Sequence, residues 1–149
     1  MKYRIAVTHE FVELIPSNRQ DGVVYVSMKY ATVVHNCCCG CGNKVVTPLS
    51  PTDWKLIYDG RSISLDPSIG NWSFPCKSHY WITQNQVHWD RQWSRKEIDA
   101  ARTQDLMAKQ RYFNDTMRHA ESRRNSEVDE SAEGHTKERF LRKLWNRLF

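Results

Sequence analysis

The residues with the most chemistry to offer are the cysteines. The run His35-Asn36-Cys37-Cys38-Cys39-Gly40-Cys41-Gly42 holds four of the five thiols, and the fifth stands in Pro75-Cys76-Lys77-Ser78-His79. Adjacent cysteines cannot bridge one another in relaxed geometry, because a disulfide needs a particular Cβ separation and torsion. An odd count also fails to make a disulfide framework. Thiolates closely spaced on a glycine-containing loop can instead converge on one ion, and Cys76-x-x-His79 adds two donors from one tight turn. Three thiolates with one imidazole, or four thiolates, are the donor sets of a tetrahedral zinc site. Cys39, Cys41, Cys76 and His79 are the central choice on spacing, and Cys37 is the first substitute. Cys38 and His35 stand outside. Four protein ligands would close the site as a structural staple, whereas three would leave a position for a catalytic water. A thiol nucleophile or redox pair is the third reading.

Hydrolysis without metal would need a nucleophile with a positioned base. Ser64, Ser68, Ser78 or one of the cysteines can be paired with His35 or His79 for that purpose. The segment Ser64-Leu65-Asp66-Pro67-Ser68-Ile69-Gly70-Asn71-Trp72 is rich in small polar groups able to present backbone N–H donors to an oxyanion. It lacks the Gly-x-Ser-x-Gly elbow, and a self-bonded structured loop is the competing reading. A zinc deaminase is excluded, since His35-Asn36-Cys37 carries no glutamate to shuttle protons.

The elements that must position these groups divide at residue 94. Short β-branched and aromatic runs predict strands at Tyr3–Val7, Val23–Ser27, Ala31–His35, Lys44–Thr47 and Trp54–Tyr58, the last joined through Asp59-Gly60 to Arg61–Leu65. Tyr80–Thr83 and Val87–Trp89 predict a further hairpin. Every proline and every cysteine precedes residue 95. Ser94-Arg95-Lys96-Glu97 is a capping box, and Ile98, Ala101, Met107 and Phe113 follow at helical spacing. The expectation is an α+β chain: a zinc-binding domain at 1–94 built on a small, mainly antiparallel sheet, then a helix at 95–121. A polar linker follows at 122–135, then an amphipathic basic helix at 136–149, whose stripe Phe140, Leu141, Leu144, Trp145 and Leu148 needs something to dock on.

Charge narrows the partners. The 22 basic and 17 acidic residues leave only +5, of which residues 1–94 carry +2, too little for a nucleic-acid face. No run approaches the roughly 20 apolar residues of a membrane span. A cytoplasmic protein with a protein partner is expected, with homo-oligomerisation through the terminal helix.

The chain also resembles a known family. The resemblance is carried by Cys37-x-Cys39-Gly40-Cys41-Gly42, by Val46-Thr47-Pro48-Leu49-x-Pro51-x-x-Trp54, by Ser64-Leu65-x-Pro67-Ser68-Ile69-Gly70-Asn71-Trp72 and by Cys76-x-Ser78-His79-Tyr80-Trp81-Ile82. These motifs occur together in small bacterial proteins also met on mobile elements. Some members are encoded beside ubiquitin-like modifier, activating-enzyme and conjugating-enzyme genes. The resemblance spans about residues 10–98 and implies a zinc-binding, peptidase-like protein that processes or removes the modifier. Cys37, Cys39, Cys41, Cys76 and His79 fall on the family's pattern, and Cys38 stands where proline is expected. A metal-dependent, deubiquitinase-like peptidase would need a carboxylate base. Among Glu10, Glu13, Asp53 and Asp66, none in a His-Glu-x-x-His motif, Glu13 is the choice because it falls inside the matched region. The alternative is a non-catalytic zinc-stapled adaptor.

Overall fold

The structure, a computed structural model, describes residues 3–148, with side chains described through residue 125. Eight strands precede one helix: β1 (Thr8–Phe11), β2 (Val23–Ser27), β3 (Thr32–Asn36), β4 (Lys44–Pro48), β5 (Lys55–Tyr58), β6 (Ile63–Gly70), β7 (His79–Thr83), β8 (Gln86–Trp89) and α1 (Arg95–Leu148). The class is α+β, as expected. The strands form two four-stranded sheets rather than one, ordered β1-β2-β3-β4 and β5-β6-β7-β8. All pairings are antiparallel except β1–β2, which is parallel.

The two sheets share a single core. Val24, Val26, Val33 and Val45 from the first sheet meet Ile63, Leu65, Ile69, Tyr80, Ile82 and Val87 from the second. Burying a side chain of this size contributes about 1.5–3 kcal/mol. The N-terminal segment joins the sheets. Val7 N–H donates to the Asn85 carbonyl (2.8 Å) and Val87 N–H to that of Ile5 (2.9 Å), before the chain turns into β1. The strand expected at Tyr3–Val7 is thus a single bridge at Ala6, and the ladder begins at Thr8. In the core, His35 Nε2 lies 2.8 Å from the Tyr80 hydroxyl, and complete burial holds its imidazole down at about 4, in the neutral form that this contact uses.

The turns place the second sheet. Asp59 accepts from Arg61 N–H, Ser62 N–H and the Ser62 hydroxyl, which makes the β5–β6 loop four residues rather than a two-residue Asp-Gly turn. β7 and β8 close over Gln84 and Asn85, both at positive φ. Between Leu65 and Ile69 the β6–β7 register shifts, so β6 bulges across Asp66-Pro67-Ser68, where the Asp66–Pro67 peptide is cis. Bulges re-aim side chains, and this one carries Ser68.

The capping box forms as read. Ser94 N–H donates to Glu97 Oε2 (2.8 Å), Glu97 N–H reaches back to Ser94 Oγ (3.4 Å), and Arg91 pairs with the Glu97 carboxylate. The backbone of α1 then continues through 122–135, where a linker is expected from composition. That stretch contains no proline and only Gly134, and its Arg, Glu and Ala residues favour helix locally even though they have little apolar area to bury. By contact density the chain forms two units, Met1–Arg102 and Thr103–Phe149. In the second, Leu106, Met107, Phe113 and Met117 are exposed. The docking expected of the 136–149 stripe concerns side chains outside those described. Among the described residues, no helix is long and apolar enough to cross a membrane.

Candidate functional site

Four of the five thiols converge. The Sγ atoms of Cys37, Cys39, Cys41 and Cys76 all lie within 4.8 Å of one another. Cys37 and Cys39 are 3.4 Å apart, and Cys41 and Cys76 are 3.7 Å apart. Four sulfurs around one ion at the zinc–thiolate bond length stand about 3.8 Å from each other, so the spacing fits a tetrahedral metal site. The β3–β4 loop supplies three of them. Cys37 N–H donates to the Asn43 carbonyl and Gly40 N–H to that of Cys37, with Gly40 and Gly42 at positive φ to let the chain fold around the sulfurs. Partial burial pushes the Cys41 thiol up, but donors from the Asn43 backbone and side chain and from Cys39 outweigh it and draw it down to about 7. The β6–β7 loop supplies Cys76. Cys38 points instead into the core near Tyr80, where burial pushes its thiol up to about 12.

His79, three residues past Cys76, is not among these four donors. Its Nε2 lies 2.9 Å from Ser68 Oγ on β6, and its Nδ1 lies 2.9 Å from Asp90 Oδ2, one residue past β8. The register explains the row. Tyr80 pairs with Trp89 across the β7–β8 hairpin, and the next step brings His79 opposite Asp90, whose N–H donates to the His79 carbonyl (3.0 Å). Gly70 pairs with His79 from the other side, and the bulge just before it places Ser68 on the imidazole. Ser68, His79 and Asp90 therefore cross three neighbouring strands on the face of the second sheet opposite Tyr80 and Ile82. A hydroxyl, an imidazole and a carboxylate in this order form the serine hydrolase constellation, recognised by geometry and roles rather than sequence order.

Residues 11–90 match the model of the BubE family, described as a bacterial ubiquitination-like system serine protease. The chain belongs to the BubE family. The matched span ends at Asp90, so it contains the whole Ser68-His79-Asp90 row together with all five cysteines. No curated protein matches the chain, and no solved structure does.

In this BubE chain the row is walled by indoles. Trp72, Trp81 and Trp93 stand 4.9, 5.1 and 4.7 Å from the His79 ring, leaving the residue 3% exposed. Gly70 makes room for this wall, since a Cβ there would come within 2.4 Å of the Trp72 indole. Burial lowers the His79 pKa and the neighbouring Asp90 carboxylate opposes it, with burial prevailing. Asp90 is held low chiefly by the Trp93 indole N–H, which donates to Oδ2 at 2.9 Å, while Arg91 N–H donates to Oδ1 at 2.8 Å. Trp93 thus positions the carboxylate that orients His79. Trp93→Phe, which keeps the ring and removes the N–H, is expected to lower kcat roughly tenfold or more with KM unchanged, as a misplacement of reacting groups does. An equal fall in thermal stability and a risen KM would mean that the indole only packs.

The other sequence candidates have separate places in this BubE fold. Ser78 lends its hydroxyl to the thiol cluster, 3.1 Å from Cys37 Sγ, and accepts from Asn71 Nδ2 at 2.9 Å. Ser64 Oγ accepts from Gln84 N–H. Glu13, chosen as a base, has a side chain 82% exposed, 3.8 Å from Lys29 Nζ, and is not grouped with the cysteines. Ser68 and His79 were both among the paired candidates, but Asp90 was not. The signal for it lay in the hairpin register, which sets position 90 across from His79 whenever the turn is Gln84-Asn85.

Proposed function

We propose that this protein is a serine protease that cleaves a ubiquitin-like modifier, at its own terminus or where it is joined to another protein. Ser68 is the nucleophile, His79 the general base and acid, and Asp90 the orienting carboxylate. The observation that carries this reading is the pair of 2.9 Å contacts that His79 makes with Ser68 and Asp90. Ser68 Oγ attacks the scissile carbonyl carbon while its proton passes to His79 Nε2. Asp90 stays ionised and stabilises the imidazolium. Collapse of the tetrahedral species expels the amine, which takes that proton. Water, deprotonated by the same nitrogen, then releases the acid and restores Ser68.

Cys37, Cys39, Cys41 and Cys76 would hold one zinc ion. Four thiolates leave no position for water, so the ion supplies a cross-link between the β3–β4 and β6–β7 loops. Cys76 is linked to His79 by two residues, and Ser78 between them bonds both Cys37 and Asn71, so the cross-link also steadies the start of β7.

A fluorophosphonate probe tests the assignment. The metal-loaded protein should take up one label, located on Ser68 by peptide mass spectrometry, and should cut a modifier carrying a short extension. A folded protein that takes no label, or takes it elsewhere, overturns the reading. The pH profile adds a check. A protonated His79 cannot accept the serine proton, and its lowered pKa places the acid limb of kcat/KM below the ordinary histidine value near 6.5. The rate should be close to its plateau at pH 7 and fall as pH falls beneath about 6.5. An acid limb above that value would contradict the enclosed imidazole.

A further inference from the structure

Attack by Ser68 needs one thing that the row itself does not supply, a donor for the oxygen on which negative charge gathers when the carbonyl is attacked. The backbone around Ser68 offers little. Pro67 has no N–H, and that of Asn71 is committed to the Ser78 carbonyl at 2.8 Å. Side chains are the next source. Of the three indoles around His79, that of Trp93 already donates to Asp90, and that of Trp81 stands exposed on β7. The Trp72 indole N–H has no acceptor among the described residues, and the residue is half-buried rather than enclosed.

The place of that N–H follows from the glycine beneath it. Gly70 pairs with His79 across β6 and β7, and directly opposed residues present their Cβ directions to the same face of a sheet. On that face Ser68 Oγ meets the imidazole. A Cβ built at Gly70 would meet Trp72 Nε1 before any other atom, with Cε2 and Cζ2 next. The N–H edge of the indole thus crosses β6 at Gly70, two residues past Ser68 and on the same side of the sheet. Two residues of strand span about 6.5 Å. That interval holds the C–O bond of a tetrahedral species on Ser68 and one hydrogen bond of about 2.9 Å. The ring is also held in advance. It stacks on Trp93 at 5.3 Å and 25°, stands 4.9 Å from His79, and follows Asn71, whose side-chain amide donates to Ser78 Oγ. An indole N–H is a donor only, so it favours the oxyanion without joining the proton transfers.

We infer that Trp72 is an oxyanion donor of the reaction, and that position 70 is bare so that the indole N–H can reach the acyl oxygen. As the bond from Ser68 Oγ to the carbonyl carbon forms, the π pair moves onto oxygen and is met by the Trp72 N–H. As the pair returns, the carbon–nitrogen bond breaks and the indole keeps its proton. This rests on Ser68 as nucleophile.

The test uses the full-length, metal-loaded protein and two probes that differ in one atom, a fluorophosphonate with P=O and its P=S counterpart. The phosphoryl oxygen takes the oxyanion position when Ser68 attacks, and sulfur is a weak hydrogen-bond acceptor. Trp72→Phe keeps an aromatic ring and loses the N–H. It should lower kcat on an extended modifier by roughly 10²–10³-fold. The acid limb of the pH profile should stay in place, and the P=O to P=S ratio of labelling rates at Ser68 should fall by about tenfold or more. Trp72→3-benzothienylalanine, which keeps the whole bicycle and puts sulfur in place of N–H, should act in the same way and serves if Trp72→Phe does not fold. An unchanged ratio in a folded variant, whatever its kcat, would overturn the donor assignment and leave the hydrolase reading standing. Wild-type protein that takes no label at Ser68 would remove the hydrolase reading, and this inference with it.

Discussion

Ser68→Ala is expected to lower cleavage of a modifier substrate by about 10⁴-fold or more, because members of a nucleophile–base–carboxylate unit fail together rather than additively. The same variant should fold, keep its metal and retain its melting temperature, since Ser68 Oγ makes its one described hydrogen bond to His79. His79→Ala should match it in activity. Its structural cost should be larger, because the imidazole fills a space enclosed by three indoles. Glu13→Ala, at an exposed position 3.8 Å from Lys29 Nζ, should leave the rate unchanged. A Ser68→Ala protein that still cleaves at a tenth of the wild-type rate would transfer the chemistry to another group, and loss of cleavage in Glu13→Ala would transfer it to that carboxylate.

The second large effect concerns the four thiols. Removing the metal with a chelator, or replacing Cys37 or Cys76 with serine, should unfold the β3–β4 and β6–β7 loops and abolish activity without touching Ser68. Structural zinc in small domains carries on the order of 10 kcal/mol of apparent binding free energy, and a whole domain is stable by only about 5–15 kcal/mol. Loss of the ion therefore removes most of the margin. Elemental analysis should give one zinc per chain, and thermal melts with and without chelator should differ by tens of degrees. Cys38→Ser should keep the ion, because that thiol lies outside the group of four. Full activity in metal-free protein would refute a cross-link that steadies the start of β7.

The sequence displays the thiols more openly than the serine. Cys39, Cys41 and Cys76 stand out as metal ligands by type and spacing, because thiols a few residues apart on a glycine-bearing loop can converge on one ion, and Cys37 takes the fourth place that the spacing alone gives to His79. His79 is ambiguous in the one-dimensional pattern. Cys76-x-x-His79 is as good a ligand spacing as many real sites, and only the pairing of β7 with β6 and β8 reveals that both ring nitrogens face Ser68 and Asp90. Asp90 depends on the turn: strands at Tyr80–Thr83 and Val87–Trp89, as the sequence reads, would set Arg91 across from His79, and only the two-residue turn Gln84-Asn85 brings Asp90 there. Ser68 was not separable from Ser64 and Ser78, because what singles it out is the bulge at Asp66-Pro67, a feature of cross-strand register. The capping box at Ser94 and Glu97 was read correctly because its bonds are local. The division of strands into two sheets depends on contacts between distant residues, which no periodicity encodes.

The 11-residue intervals from Ser68 to His79 and from His79 to Asp90 also bear on how the molecule comes to be active. Each closes through a short loop, whereas joining Cys41 to Cys76 closes 35 residues, at an extra entropic cost of about 1 kcal/mol. Contacts of low sequence separation form first. The three-strand meander bearing the reactive row is therefore expected to assemble before the thiols gather, making ion capture a late checkpoint on maturation. Pulsed hydrogen exchange during refolding should protect the amides of β6–β8 before a zinc-sensitive dye reports uptake of the ion, and uptake ahead of that protection would contradict the order.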